Sequence, residues 1–213
     1  MEFFSQNSVA VLAFPSSAGY PRLSIAVLQK LDDLLEEVER AGLFSAAVIA
    51  ANAASFATGA ELEQVATLDG LRAREFAERG QRTCRRVADY SLPVVAAIRG
   101  YCMGGGLDLA LACHGRVATY DASFSHPGAG LGLVTGWGGT QRLPLLLGKA
   151  TALEMLLTAD RIPANRALSM GLVGKLTSSQ DLLDVAAEHA RALSRSFSAK
   201  SSDARFRTGG LGL

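Results

Sequence analysis

Three short apolar runs, Val9–Phe14, Ala46–Ala51 and Pro93-Val94-Val95-Ala96-Ala97-Ile98, show no alternation of polar and apolar residues. A strand that is apolar on both sides must be covered on both faces, which a parallel sheet between helices provides and a water-facing sheet does not. The segments between the runs have helical period. In the first, Ser24 is placed to cap a helix whose apolar residues recur at Val27, Leu28, Leu31, Leu34, Leu35 and Val38, with acids on the other face and Gly42 at its end. Residues 68–90 are again helical in pattern, a further helix runs from Gly104-Gly105-Gly106 to Cys113, and Arg116-Val117-Ala118 reads as another short strand. Strand alternating with helix predicts an α/β fold: a mostly parallel sheet covered by helices and joined by right-handed crossovers.

Beyond Gly139 strands nearly vanish, and helices are predicted over 140–147, 150–159, 164–170 and 181–195. The expected organisation is an α/β core over 1–147, a helical C-terminal region over 148–195 and a flexible Ser/Gly/Arg tail over 196–213.

Composition narrows the function. With 213 residues, 49% of them hydrophobic, the chain can bury a sizeable core without disulfides or a structural metal. Its 21 basic and 20 acidic residues leave a net charge of +1, so no overall field gathers nucleic acid. The uncharged stretches 42–60 and 122–141 are broken by Asn52, Ser55, Thr58, His126, Pro127 and many glycines, so no membrane span is expected. The first seven residues lack the basic and apolar regions of a secretory signal, and Cys84, Cys102 and Cys113 show no CxxC pairing. A cytoplasmic location follows as the expectation. Three scattered histidines, His114, His126 and His189, give no metal-ligand spacing, so no metal is expected.

The strongest chemical signal is the glycine triplet between a strand and a helix. It leaves backbone N–H groups unshielded at the positive end of a helix, where they can hold a phosphate or a developing oxyanion. A dinucleotide fingerprint fails because Gly104 and Gly106 are followed three residues on by Leu109, and Gly148-Lys149-Ala150 does not complete a phosphate-binding loop. A second loop of small residues, Ser55-Phe56-Ala57-Thr58-Gly59-Ala60-Glu61-Leu62, also follows a buried strand. Loops that leave the same ends of parallel strands can converge on one ligand, and two convergent N–H groups form an oxyanion hole. No serine lies in a G-x-S-x-G elbow, which disfavours a covalent hydrolase.

Together with Pro93 through Gly100, Ala122-Ser123-Phe124-Ser125-His126-Pro127, Leu131-Gly132-Leu133, Gly136-Trp137-Gly138-Gly139-Thr140-Gln141-Arg142-Leu143-Pro144 and Ala164 through Val173, these loops resemble the enoyl-CoA hydratase/isomerase, or crotonase, superfamily. The resemblance covers about residues 8–195. It implies a spiral core of repeated ββα units, a helical C-terminal region that is truncated here, and assembly as a homotrimer or hexamer. It also implies an acyl-CoA thioester as substrate, with coenzyme A part of the substrate and no permanently bound cofactor. The N–H groups of Ala60 and Gly105 would polarise the thioester carbonyl, a contribution of about 3 to 4 kcal/mol per donor. Asp108 matches the first of the family's two acid/base carboxylates, and Gly128 stands where the second belongs. Glycine carries no proton, and loss of one acid/base group costs about 10²- to 10⁴-fold in rate. The implied substrate-binding residues are Ala57, Gly59, Ala60, Glu61, Leu62, Gly104, Gly105, Gly128 and Trp137, the last read equally as core packing.

Enoyl-CoA hydration or isomerisation is therefore expected. Decarboxylation or C–C cleavage through the same enolate, or acyl-CoA binding without turnover, are the alternatives that Gly128 leaves open. His126 adjoins the vacant position and can carry a proton, although a loop histidine held by local hydrogen bonds is the weightier reading. His114 and His189 read as structural. The arginines between Arg72 and Arg86 read as a solvated helix face, with contact to CoA phosphates as the sharper alternative.

Overall fold

The apolar runs become central strands because each side of the sheet they build is covered. The computed structural model describes residues 1–15 and 20–197. In its first half the chain forms β1 (Glu2–Gln6), β2 (Val9–Phe14), α1 (Ile25–Ala41), β3 (Ala46–Ala51), α2 (Leu62–Ala66), α3 (Gly70–Ala88), β4 (Val94–Ile98), β5 (Tyr101–Met103) and α4 (Gly105–Ala112). There follow β6 (Gly115–Thr119), β7 (Ser123–Ser125), a 3-10 turn at Pro127–Leu131, α5 (Gly139–Leu147) and α6 (Lys149–Thr158). Then come β8 (Ile162–Pro163), α7 (Ala164–Ser169), β9 (Lys175–Thr177) and α8 (Leu182–Ser194).

A six-stranded sheet runs in the order β1-β2-β3-β4-β6-β9, parallel except for the β1–β2 hairpin, and a small sheet runs β5-β7-β8. The chain passes from the large sheet into the small one twice. After β4 it enters the small sheet as β5 and then forms α4; after β6 it enters again as β7. A third crossing is abbreviated to one parallel bridge between Ala57, beyond β3, and Cys102 of β5. This is the repeated ββα spiral that the family resemblance implies.

Side chains of the large sheet divide by the two-residue period of a strand. Ala10, Leu12, Ile49, Ala96 and Ile98 join the core with Leu28, Leu31 and Leu35 of α1 and Phe76, Cys84 and Val87 of α3. On the opposite face Val9, Val11, Val48, Val95, Ala97 and Val117 meet α8 through Leu182, Ala186, Ala187 and Ala190. The expected caps of α1 form: the Ser24 hydroxyl accepts the Val27 N–H at 3.3 Å, and Gly42 closes the helix at φ 62°. Arg79 of α3 reaches Asp32 of α1 at 2.8 Å and holds the two helices in register.

Two features depart from the sequence reading. The first residues form a strand, because Asn7 (φ 48°) and Ser8 (φ 65°) take the two positive φ values of a tight hairpin usually made with glycine. Strands β5, β7, β8 and β9, of two or three residues each, are too short for a periodic signal. The tail expected over 196–213 falls almost wholly outside the described residues.

Because alanines let α8 approach the sheet closely, extra volume there has nowhere to go. Ala190, fully buried, changed to Leu should destabilise the fold by about 1–3 kcal/mol, read as a lower urea midpoint with an unchanged slope.

Candidate functional site

Strand β5 organises the site. The Ala57 N–H donates to the Tyr101 carbonyl at 3.2 Å, and the Ala57 carbonyl accepts the Met103 N–H at 2.9 Å. The loop beyond β3 is thereby laid along the strand that runs into the glycine triplet. Its other side is tied down where Thr58 N–H donates to Pro21 O and Leu23 N–H donates to Gly59 O. Gly59 has φ 92° and packs so closely that a methyl group on it would come within 3.0 Å of the Gly105 nitrogen. Gly104, at φ 51°, turns the chain from β5 into α4, a conformation costly for any other residue. Gly105 is the first residue of α4, so its N–H has no partner within the helix. No backbone carbonyl of the described residues accepts from the Ala60 or Gly105 N–H.

Both loops open into a cleft of about 680 Å³. Its walls are largely apolar, with Leu62, Phe76, Leu131, Leu133, Leu153 and Leu157 among them, and its polar floor holds Asp108 and His126. Of the residues expected to contact substrate, Gly59, Ala60, Leu62, Gly104, Gly105, Gly128 and Trp137 line this cleft together with Asp108. Ala57 and Glu61 do not: Ala57 is fully buried in the strand pairing, and Glu61 precedes α2 and accepts from Val65 N–H. Trp137 fulfils both of its readings. It lines the cleft, packs on Phe76 with ring centroids 5.3 Å apart, and leaves no room for a side chain at Gly105, where a methyl group would meet the indole at 2.4 Å.

Asp108 sits in the first turn of α4 and is 1% exposed. One carboxylate oxygen, Oδ2, accepts the Trp137 N–H at 3.2 Å and the Thr135 hydroxyl. The other, Oδ1, has no hydrogen-bond partner among the described residues and faces His126 Nε2 at 3.7 Å. Burial raises the Asp108 pKa above the ordinary carboxylate range, while His126, the Thr135 hydroxyl, the Trp137 N–H and Arg142 pull the other way. For His126, 2% exposed, burial lowers the pKa against the attraction of Asp108.

Local hydrogen bonds do not hold His126, contrary to the weightier sequence reading: neither ring nitrogen has a hydrogen-bond partner among the described residues. His114 is a packing residue, its Nδ1 accepting the Val94 N–H at 2.9 Å. His189, half-buried, lies under Gly115. The α3 arginines pair along the surface, as Arg74 with Glu78 at 2.8 Å and Arg86 with Glu39 at 3.9 Å. Sequence reasoning passed over Thr135 and Gly139. A methyl group on Gly139 would lie 2.2 Å from Asp108 Oδ1 and 2.9 Å from His126 Nε2, so the absence of a side chain there keeps the gap between them open. Both residues lie in or beside the Gly136-Trp137-Gly138-Gly139 turn, whose glycine density was the available signal.

The sequence pattern of the enoyl-CoA hydratase/isomerase family matches residues 5–205. The chain is 33% identical over 184 residues to the short-chain-enoyl-CoA hydratase of Clostridium acetobutylicum, covering 86% of this chain and 70% of that protein. It is 43% identical over 129 residues to the crotonyl-CoA hydratase of Syntrophomonas wolfei, covering 61% of this chain and half (50%) of that protein's length. The crystal structure of an enoyl-CoA hydratase from Bacillus anthracis superposes with a TM-score of 0.86 at 29% identity, covering 93% of this chain and 77% of that one.

Removing the Thr135 hydroxyl takes away a bond that favours the charged carboxylate. Thr135→Val should therefore move the carboxyl carbon-13 titration of Asp108 to higher pH; an unmoved titration would refute the bond.

Proposed function

The chain belongs to the enoyl-CoA hydratase/isomerase family, and from that premise we propose that it adds water to the double bond of a short-chain 2-enoyl-CoA. The observation that carries the reading is convergence: two free N–H groups, Ala60 and Gly105, lie on touching loops of one cleft whose floor presents the buried Asp108. The short chain length is carried over from the two relatives, a short-chain-enoyl-CoA hydratase and a crotonyl-CoA hydratase.

In this reading the thioester carbonyl oxygen sits between the Ala60 and Gly105 N–H groups. Water oxygen bonds to C3, the C2=C3 electron pair moves toward the carbonyl, and the negative charge gathers on the oxygen that the two donors hold. Such donors are fixed before the reaction, so they strengthen in the transition state without reorganisation. Asp108 is the acid/base carboxylate of the cleft, fixed through Oδ2 by Thr135 and Trp137, which leaves Oδ1 without a hydrogen-bond partner among the described residues. Burial raises its pKa above the ordinary carboxylate value. The apolar walls receive the acyl chain and exclude bulk water.

Exposed apolar side chains on α5 outside the cleft, Leu145 and Leu146, support assembly as a homotrimer or hexamer. Three buried free cysteines favour a reducing, cytoplasmic setting, and among the described residues no helix is long and apolar enough to cross a membrane.

Mass-spectrometric turnover against enoyl-, 3-hydroxyacyl- and malonyl-CoA thioesters tests the reading. The expected result is interconversion of short enoyl- and 3-hydroxyacyl-CoA, reduced by about 10²- to 10⁴-fold in Asp108→Asn. Loss of carbon dioxide from malonyl-CoA instead would identify a decarboxylase, and binding without any product would identify a pocket that does not turn over.

A further inference from the structure

We propose that His126 is the second proton-handling group of this cleft, working with Asp108 in the role left empty at Gly128; the inference rests on the hydratase reading above. Three observations place it there. The imidazole is buried on the cleft floor with neither nitrogen hydrogen-bonded among the described residues, a costly arrangement unless a molecule entering the cleft completes it. Its Nε2 faces the equally unpartnered Asp108 Oδ1 at 3.7 Å, too far for a direct hydrogen bond. An oxygen atom seated beside that gap reaches both atoms at about 2.8 Å, an ordinary hydrogen-bond length. Finally, a side chain at Gly128 is obstructed, since a methyl group there would meet the Leu133 carbonyl oxygen at 2.9 Å. The loop is built without a carboxylate at that position, and the proton has to be carried from elsewhere.

The charged groups around the ring are few. Asp108 of α4 faces it directly, and Arg142 of α5 acts on the same carboxylate from a greater distance. A neutral His126 accepts one proton from the bridging water through Nε2 while the water oxygen bonds to C3. The C2=C3 pair shifts to make the enolate, whose oxygen lies at Ala60 and Gly105. Ionised Asp108 stabilises the imidazolium. The imidazolium passes its proton to the facing Asp108 Oδ1, the carboxyl gives it to C2, the carbonyl re-forms, and both groups return to their starting forms. One hydrogen and one hydroxyl have been added, and the pair ends as it began.

The test measures hydration of crotonyl-CoA by wild type, His126→Gln and His126→Asn across pH, with binding of the unreactive butyryl-CoA measured by calorimetry. Both variants should lose about 10²- to 10⁴-fold in kcat while KM and butyryl-CoA affinity stay within a few fold. Because the neutral ring is the base and burial lowers its pKa, the wild-type rate should hold at neutral pH and fall on the acid side of the usual imidazole value of about 6.5. The part of that acid limb set by the imidazole should vanish from the residual rate of the variants, leaving only the limb of Asp108. Undiminished kcat in a folded variant, or a change in KM alone, overturns the role of His126 and leaves the hydratase reading standing. Wild type that binds butyryl-CoA but hydrates no enoyl-CoA overturns both. Should neither variant fold, the His126 ring resonances of wild type decide: they should shift and change their titration when butyryl-CoA binds, and an unaltered ring overturns the proposal.

Discussion

The site depends on the short backbone ladder between Ala57 and the edge of β5. Two loops more than forty positions apart in sequence are made adjacent by it, because Ala57 exchanges hydrogen bonds with Tyr101 and Met103 on either side of Cys102. Both loops are thereby fixed before any ligand arrives. Gly106 shows how tight the junction is: a methyl group there would meet the Ala57 carbonyl oxygen at 2.4 Å. A pair of N–H donors held in this way pays no reorganisation when charge develops between them.

Beneath that junction the protein places a carboxylate where water would not leave it. Helix α4 is apolar nearly throughout, and the neighbours of Asp108 include Leu107, Leu109, Ala110 and Leu111, all buried. Burial favours the neutral form of Asp108, whereas the nearby His126, the Thr135 hydroxyl, the Trp137 N–H and Arg142 each favour the charged form. Burial outweighs them, and the pKa of Asp108 lies above the ordinary carboxylate value. Two of the four, Thr135 and Trp137, lie in or directly before the Gly136 to Gly139 turn, so the turn that packs Trp137 against α3 also acts on the carboxylate of α4.

Much of this was legible in the residues. Apolar runs without alternation predicted strands buried on both faces, and the division of β2, β3 and β4 between the α1/α3 core and α8 has that cause. Ser24 and Gly42 marked the ends of α1, and the glycine triplet marked the start of α4. Less legible were pairings that depend on distant partners. Strands β5, β7 and β8 exist because they find one another in a second sheet, and two or three residues carry no period of their own. The β1–β2 hairpin turns on Asn7 and Ser8, a combination whose left-handed conformation is less predictable than that of glycine.

His126 shows where sequence reasoning ends. From the chain alone a histidine beside a proline in a loop is most simply satisfied by its own loop; in the folded protein its neighbour is a carboxylate eighteen positions earlier, on another element. By itself the sequence determined the layered α/β architecture, the family, and the two glycine loops with their free N–H groups, because apolar period, capping and glycine conformation are local properties of the chain. Only the tertiary structure decided which of the loop residues face the cleft, that Ala57 and Glu61 do not, and that Asp108 and His126 face each other 3.7 Å apart. Burial and the distance between side chains are set by packing across the whole molecule, and no short stretch of residues contains them.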